Sequence, residues 1–178
     1  MGAAQGRDGK RLEHWGRPFG PRRPARAVGI FTLDTNVLIC SVDLAAGVRH
    51  EVAKQIVERA HLCPCCLTLQ SISEFYAAVT RKGMMQPREA VPIAEAMLDL
   101  FPTAPASAGA VRTALRTAAA GRASYWDALL LATAAAAGCT AILTEDMADG
   151  ATLAGVRIIN PFAGDAISPA AEALLKTA

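Results

Sequence analysis

Short apolar runs alternate with longer segments of helical character along most of this chain, and this alternation restricts the fold more than any other feature. Strands are predicted at residues 28–33, 66–72, 140–143 and 156–159. Helical spacing and helix-ending glycines predict helices at residues 49–60, 73–82, 87–100, 107–120 and 124–137. Strands that alternate with helices form a mostly parallel sheet covered on both faces. The sequence therefore predicts an α/β fold.

The charge distribution divides the chain into a basic arm and a folded body. Residues 1–27 are rich in Gly, Pro and Arg, and their seven basic and two acidic side chains give a net charge of +5. The remaining residues carry a net charge of −3, although the whole chain sums to +2. Because only 19% of residues are charged, a wholly disordered chain is excluded. We expect a disordered arm over 1–27, a folded domain over 28–163 and a C-terminal extension over 164–178.

The cysteines and the longest uncharged run bear on location. Residues 128–144 are uncharged but are interrupted at Gly138, so a helix followed by a strand is favoured over a membrane span. The N-terminus lacks the apolar region of a secretory signal, and five cysteines is an odd number. These features predict reduced thiols in a cytoplasmic protein. Cys63 and Cys66 form a C-x-x-C that could begin a zinc site, although buried thiols at the start of a strand are the favoured interpretation.

Four acidic residues stand where strands end or helices begin. They are Asp34, Glu74, Asp127 and Asp146. In parallel sheets, sites form at the carboxyl ends of the strands, so we expect these four side chains to lie along one edge of the sheet.

Each of the four also has a purely structural explanation. The segments Ser71–Glu74 and Ser124–Asp127 both resemble capping boxes, and acidic residues after strands commonly form turns. The apolar residues around Asp34 and Asp127 favour a functional role, because carboxylates crowded beside buried surface repel one another unless protons or a cation intervene. Oxygen ligands without a paired lysine favour Mg²⁺ or Mn²⁺, which can activate water for attack on a phosphodiester.

Four segments carry these acidic residues in a recognisable order. They are residues 33–39 (LDTNVLI), 72–75 (ISEF), 125–129 (YWDAL) and 143–147 (LTEDM). In order and spacing they resemble the four acidic motifs of PIN-domain ribonucleases, most closely those of bacterial VapC-type toxins. Residues 156–162 also resemble the closing strand of many such proteins, so the resemblance spans about residues 30–162.

The resemblance implies a compact three-layer α/β/α sandwich and a catalytic metal site. It implies that Asp34, Glu74, Asp127 and Asp146 ligate Mg²⁺ or Mn²⁺, directly or through water. Asn36 and Thr144 match the accessory polar positions of the family and would orient ligands or water around the metal. The family's toxins cut RNA, are usually dimeric and are inhibited by a small cognate antitoxin, so an RNA substrate, a homodimer and an antitoxin partner are implied.

Some charged residues near these motifs allow two interpretations. Arg81 and Lys82 end the helix that Glu74 begins, and they could contact RNA phosphate or simply complement the helix C-terminus. Glu145 and Asp149 beside the fourth motif are interpreted as solvated turn charges. The 33 residues before Asp34 are more than family members of this size usually have. Either the translation start is placed too far upstream or the arm is a genuine addition that binds RNA.

Two other functions compete with the nuclease. A haloacid-dehalogenase-like phosphatase needs a second Asp two residues after the first, and that position is Asn36. A non-catalytic PIN-like module for RNA binding or assembly would be favoured by a missing carboxylate, and all four are present. A metal-dependent endoribonuclease, the toxin of a toxin–antitoxin pair, is therefore the favoured prediction.

Overall fold

The computed structural model describes residues 29–176. The predicted arm over residues 1–27 lies outside the described residues. The strands are β1 (Phe31–Leu33), β2 (Leu67–Thr68), β3 (Thr103–Ala104), β4 (Ala141–Leu143), β5 (Thr152–Leu153), β6 (Val156–Ile159), β7 (Phe162–Ala163) and β8 (Ala166–Ile167). The helices are α1 (Thr35–Cys40), α2 (Val48–Ala60), α3 (Leu69–Arg81), α4 (Pro87–Leu100), α5 (Ala108–Ala119), α6 (Tyr125–Ala136) and α7 (Pro169–Leu174).

The central sheet has the strand order β1-β4-β6-β5. Strands β1, β4 and β6 are parallel, and Leu33, Leu143 and Ile159 lie side by side in register. Only β5, which pairs with β6, is antiparallel among the four strands of this sheet. The predicted α/β fold with a mostly parallel sheet is confirmed, and the shared register brings the carboxyl ends of β1 and β4 to the same edge.

Two apolar cores lie on opposite faces of this sheet. Successive strand residues point to opposite faces. Accordingly, Leu143 joins a core with Phe75 of α3 and Ile56 of α2, whereas Ile142 joins a core with Leu131 of α6. All five of these side chains are fully buried. A sheet between two helical layers is the three-layer arrangement that the family resemblance implies.

The second predicted strand is wrong over most of its length. Residues 66–72 were expected to be extended, but β2 ends at Thr68 and α3 begins at Leu69. The cause is the Thr68 side chain, which accepts a hydrogen bond from the Ser71 backbone N–H at 3.0 Å and so caps α3 four residues earlier than predicted. Ser71–Glu74 is therefore not a capping box, and Glu74 lies in the second turn of α3.

The segment after residue 163 packs against the same core as the rest of the chain. Ala171 and Leu175 are buried among the residues of the α2 and α3 side. Arg59 of α2 also makes a bidentate ion pair with Glu172, with N···O distances of 2.7 and 2.9 Å. The predicted domain boundary at residue 163 falls in the turn between β7 and β8.

None of the five cysteines, all of which lie among the described residues, forms a disulfide, and no helix among residues 29–176 is long and apolar enough to cross a membrane. Cys40, Cys65 and Cys139 are buried, whereas Cys63 and Cys66 are half-buried. Burial raises the pKa of the Cys65 thiol well above its ordinary value, which keeps it protonated. The C-x-x-C that the sequence offered as the start of a zinc site thus consists of the two half-buried thiols, Cys63 and Cys66.

A candidate active site at the acidic edge of the sheet

Asp34 lies at the junction between β1 and α1 and is only 8% exposed. It is the N-cap of α1, and its Oδ1 accepts a hydrogen bond from the Thr35 backbone N–H at 2.6 Å. Its Oδ2 accepts from the Thr144 hydroxyl at 2.6 Å and from the Asn36 amide at 3.1 Å. Both carboxylate oxygens are therefore fixed by donors at the carboxyl end of the strand.

Thr144 connects the first and fourth acidic segments. It follows β4, and its side chain is fully buried. Besides donating to Asp34, its hydroxyl oxygen accepts from the Asn36 amide at 3.0 Å and from the Asp146 backbone N–H at 3.2 Å. One hydroxyl thus sets the position of Asp34 and of the backbone that carries Asp146.

The surroundings of Asp34 raise its pKa from 3.8 to about 6. Burial is the main cause, because desolvation disfavours the charged form. The hydrogen bonds from Thr144 and Thr35 oppose this effect, and the negative charges of Asp146 and Asp127 add to it. Three of the four sequence-predicted carboxylates therefore lie close enough to interact electrostatically.

Glu74 is placed on the same edge by side chains that the sequence did not single out. The Thr35 hydroxyl lies 3.1 Å from Glu74 Oε2, and the Gln70 amide donates to Glu74 Oε1 at 3.0 Å. The same Gln70 amide nitrogen donates to the Trp126 carbonyl at 3.1 Å, which ties α3 to the first turn of α6. The position of Gln70, four residues before Glu74 on one helix, was a signal that could have identified it.

Asp127 lies in the first turn of α6, directly after Trp126. The Ser124 hydroxyl accepts from the Asp127 backbone N–H at 3.1 Å, as the predicted capping box requires. The reciprocal bond, in which the Ser124 backbone N–H would donate to the Asp127 carboxylate, is not present in the described structure, so only half of the capping box forms. The helix cap uses the backbone of Asp127 and leaves its carboxylate available.

Comparison with known proteins places this arrangement in a family. The PIN domain family model matches residues 31–148, which contain all four acidic residues. The chain belongs to the PIN domain family. A search of curated protein sequences gave no match.

Three solved structures share the PIN fold of this chain. The Mycobacterium tuberculosis VapC20, a toxin that cleaves the sarcin–ricin loop, aligns with a TM-score of 0.54 at 16% identity over 65% of this chain and 89% of its own. A toxin–antitoxin complex from Klebsiella pneumoniae aligns with a TM-score of 0.53 at 24% identity, over 74% of this chain and 97% of its own. DNA-bound VapBC from Salmonella typhimurium aligns with a TM-score of 0.52 at 16% identity, over 72% of this chain and 95% of its own. At these identities the likeness shows the fold.

The chemistry of this PIN-domain edge suits a hard divalent cation. Its four acidic side chains present only oxygen atoms, and none of the four carboxylates forms a salt bridge with a described residue. Asn36 Oδ1 and Gln70 Oε1 are buried without a hydrogen-bond partner in the described structure, although buried polar atoms are normally paired. Among residues 29–176, no group of three or more His, Cys, Asp or Glu side chains is arranged to hold a metal ion.

The structure places the other charged residues that the sequence singled out near the acidic motifs. Asp149 is an exposed turn residue, as predicted, and its Oδ1 accepts from the Asn160 backbone N–H at 2.9 Å. Glu145 is half-buried and pairs with Arg49 of α2, so its interpretation as a solvated turn charge is wrong. Arg81 is the last residue of α3 and Lys82 is its C-cap, and both are exposed. Arg81 lies seven positions after Glu74 on α3, about 10 Å along the helix axis, so the structure does not place these cations at the carboxylates.

The raised pKa of Asp34 gives a pH-dependent stability that can be measured. Between pH 3.8 and about 6 the folded metal-free protein keeps a proton that the unfolded chain releases, so this contribution is complete below about pH 4 and is lost as pH rises through 6. The change corresponds to about 3 kcal/mol. In urea unfolding with EDTA, we expect the unfolding free energy of wild type minus that of Asp34→Asn to fall by this amount from pH 3 to pH 7. A difference independent of pH would contradict the assignment.

Proposed function

We propose that this PIN-domain protein is a metal-dependent endoribonuclease that hydrolyses RNA phosphodiester bonds and acts as the toxin of a toxin–antitoxin pair. The observation that carries the proposal is the environment of Asp34. This carboxylate is buried and accepts hydrogen bonds from three donors. The negative charges of Asp127 and Asp146 also raise its pKa. A purely structural N-cap needs one accepting oxygen and gains nothing from two further carboxylates close to it.

Each residue of the site would contribute position or charge. Asp34, Glu74, Asp127 and Asp146 would hold Mg²⁺ or Mn²⁺, which when bound supplies an activated water and neutralises the leaving oxygen. Thr144 and Asn36 would fix the orientation of Asp34 through the hydrogen bonds described above. Thr35 and Gln70 would do the same for Glu74. With a pKa of about 6, Asp34 is mainly ionised at neutral pH and ready to bind a cation.

The proposed partners follow from the neighbours. Two of the similar structures are toxin–antitoxin assemblies, which supports a small cognate antitoxin as a partner of this chain. We extend the proposal to a cytoplasmic homodimer that acts on RNA when released from the antitoxin. Within it, residues 28–163 would form the nuclease domain and the basic residues 1–27 would add attraction to RNA. Arg81 and Lys82 would contact RNA phosphates away from the cleaved bond.

Incubation of the purified protein, free of antitoxin, with a mixture of structured cellular RNAs tests this proposal. We expect discrete cleavage products with Mn²⁺ or Mg²⁺ and none with EDTA. The Asp34→Asn protein, purified in parallel, controls for contaminating nucleases. RNA binding without cleavage by the wild type in either metal would reject the nuclease and favour the non-catalytic RNA-binding module instead.

A further inference from the structure

The cysteines of this protein divide between the two faces of the central sheet. Cys66 and Cys139 pack with the core on the α6 side. The other three pack with the core on the α2 and α3 side, and they are Cys40, Cys63 and Cys65. Cys65 forms a β-bridge with Phe31, and successive residues of an extended chain point to opposite faces of a sheet, so Cys66 points away from Cys65. Cys139 is therefore the thiol that shares a face of the sheet with Cys66.

The backbone places these two cysteines beside the same residues at the start of β1. The Cys66 backbone N–H donates to the Phe31 carbonyl at 2.9 Å. On the other side of the same strand, Thr140, which follows Cys139, donates its backbone N–H to the Ile30 carbonyl at 2.7 Å. The Cys139 thiol in turn makes a hydrogen bond to the Cys66 sulfur. The two sulfur atoms are thus direct neighbours between the sheet and the end of α6.

The two thiols differ in exposure and in pKa. Cys66 is half-buried, whereas Cys139 is buried. The hydrogen bond from Cys139 lowers the pKa of the Cys66 thiol, although burial opposes this effect. The same hydrogen bond, together with burial, raises the pKa of the Cys139 thiol, so Cys139 keeps its proton. Because the thiolate is the nucleophile in thiol–disulfide exchange, Cys66 is suited to react first.

We propose that Cys66 and Cys139 form a thiol–disulfide site that a small soluble disulfide, such as glutathione disulfide, oxidises. The Cys66 thiolate attacks one sulfur of glutathione disulfide, which forms a mixed disulfide on Cys66 and releases one glutathione thiolate. The Cys139 sulfur then attacks the Cys66 sulfur and gives up its proton to solvent, which forms the Cys66–Cys139 disulfide and releases the second glutathione. Two protein thiols are oxidised, and one glutathione disulfide is reduced to two glutathione molecules.

The disulfide would close a covalent ring over residues 66–139. This ring contains α3 and α6, the helices that carry Glu74 and Asp127. A cross-link of this kind stabilises a protein mainly because it restricts the unfolded chain. We therefore expect the oxidised protein to melt at a higher temperature than the reduced protein, and dithiothreitol to restore the lower value. The inference does not depend on metal binding or RNA cleavage, so it and the proposed function can fail separately.

Peptide mass spectrometry of the full-length protein tests the inference. The reduced, folded protein is incubated with excess glutathione disulfide, its remaining thiols are blocked with N-ethylmaleimide, and it is digested without reduction. We expect a linked peptide that joins Cys66 to Cys139 and that has lost two hydrogen atoms. Cys63→Ser is the matched control, because Cys63 is also half-buried and close in sequence but packs on the other face of the sheet. This variant should give the same linked peptide as the wild type.

Two variants test the order of the steps. Cys139→Ala should stop the reaction after the first step, so that glutathione stays on Cys66, and Cys66→Ala should give neither product. Circular dichroism of the reduced variants checks that they fold, and the linkage in the wild type decides the question without them. A wild type that retains glutathione on Cys66, that joins Cys66 to a different cysteine, or that reacts at neither residue while folded would overturn the inference.

Discussion

Replacing Asp34 with Asn is expected to lower the rate of RNA cleavage at least a hundredfold while the protein remains folded. The substitution removes the negative charge that is held by three donors at the centre of the site. A neutral amide is a poor ligand for a hard cation. Its NH₂ group would also face the donors that now bind the Asp34 carboxylate. Initial rates on one end-labelled RNA in saturating Mn²⁺ measure the effect.

A matched substitution separates this effect from a general loss of acidic charge. Asp99 lies on α4, is exposed and makes no salt bridge with a described residue. Asp99→Asn changes the net charge equally, so its cleavage rate should stay within about twofold of wild type. Comparable losses in the two variants would mean that overall charge, and not the local site, controls the rate.

Replacing Thr144 with Val should be the second most damaging change. Valine has nearly the same shape but removes the hydroxyl that donates to Asp34 and accepts from Asn36 and the Asp146 backbone. We expect the cleavage rate to fall about 10- to 100-fold, which is typical when a group that orients a metal ligand is lost. Stability should fall by about 1–3 kcal/mol, because buried donors lose their acceptor.

Thr133 offers a close control for Thr144. It is 2% exposed in α6, and its hydroxyl has no hydrogen-bond partner among the described residues. Thr133→Val should therefore leave cleavage unchanged and be neutral or stabilising, since it removes an unpaired buried hydroxyl. Urea unfolding and initial cleavage rates of both variants make the comparison. A Thr144→Val protein that matches Thr133→Val in both would show that the Thr144 hydroxyl has no role at the site.

The alternation of strands and helices could be predicted from the sequence because most elements carry their own local signal. Helix α4 begins at Pro87 and ends at Leu100, as the sequence predicts, since proline favours the first turn of a helix. The start of α3 was not readable in this way. Residues 66–72 are compatible with an apolar strand, and what ends β2 is the bond between the Thr68 side chain and the Ser71 backbone. An apolar run and a helix cap overlap here, and the sequence pattern alone does not show which of the two forms.

The candidate site was predictable only as a set of acidic positions. The sequence places Asp34 and Asp146 after strands, and the parallel pairing of β1 with β4 brings those strand ends together. The roles of Thr35 and Gln70 depend on contacts between elements that lie 39 and 56 residues apart in the chain. Contacts of this kind have no local pattern, so the role of Thr35 emerges only from the folded structure, whereas the spacing of Gln70 and Glu74 on one helix was a local signal.

Direct measurement of Mn²⁺ binding tests the central claim, that the acidic edge of this PIN domain is a metal site. The full-length protein is titrated with Mn²⁺ at neutral pH, and free Mn²⁺ is followed by electron paramagnetic resonance. We predict saturable binding by the wild type and by Asp99→Asn, and loss of that binding in Asp34→Asn. Equal Mn²⁺ binding by wild type and Asp34→Asn, or none by either, would contradict the claim.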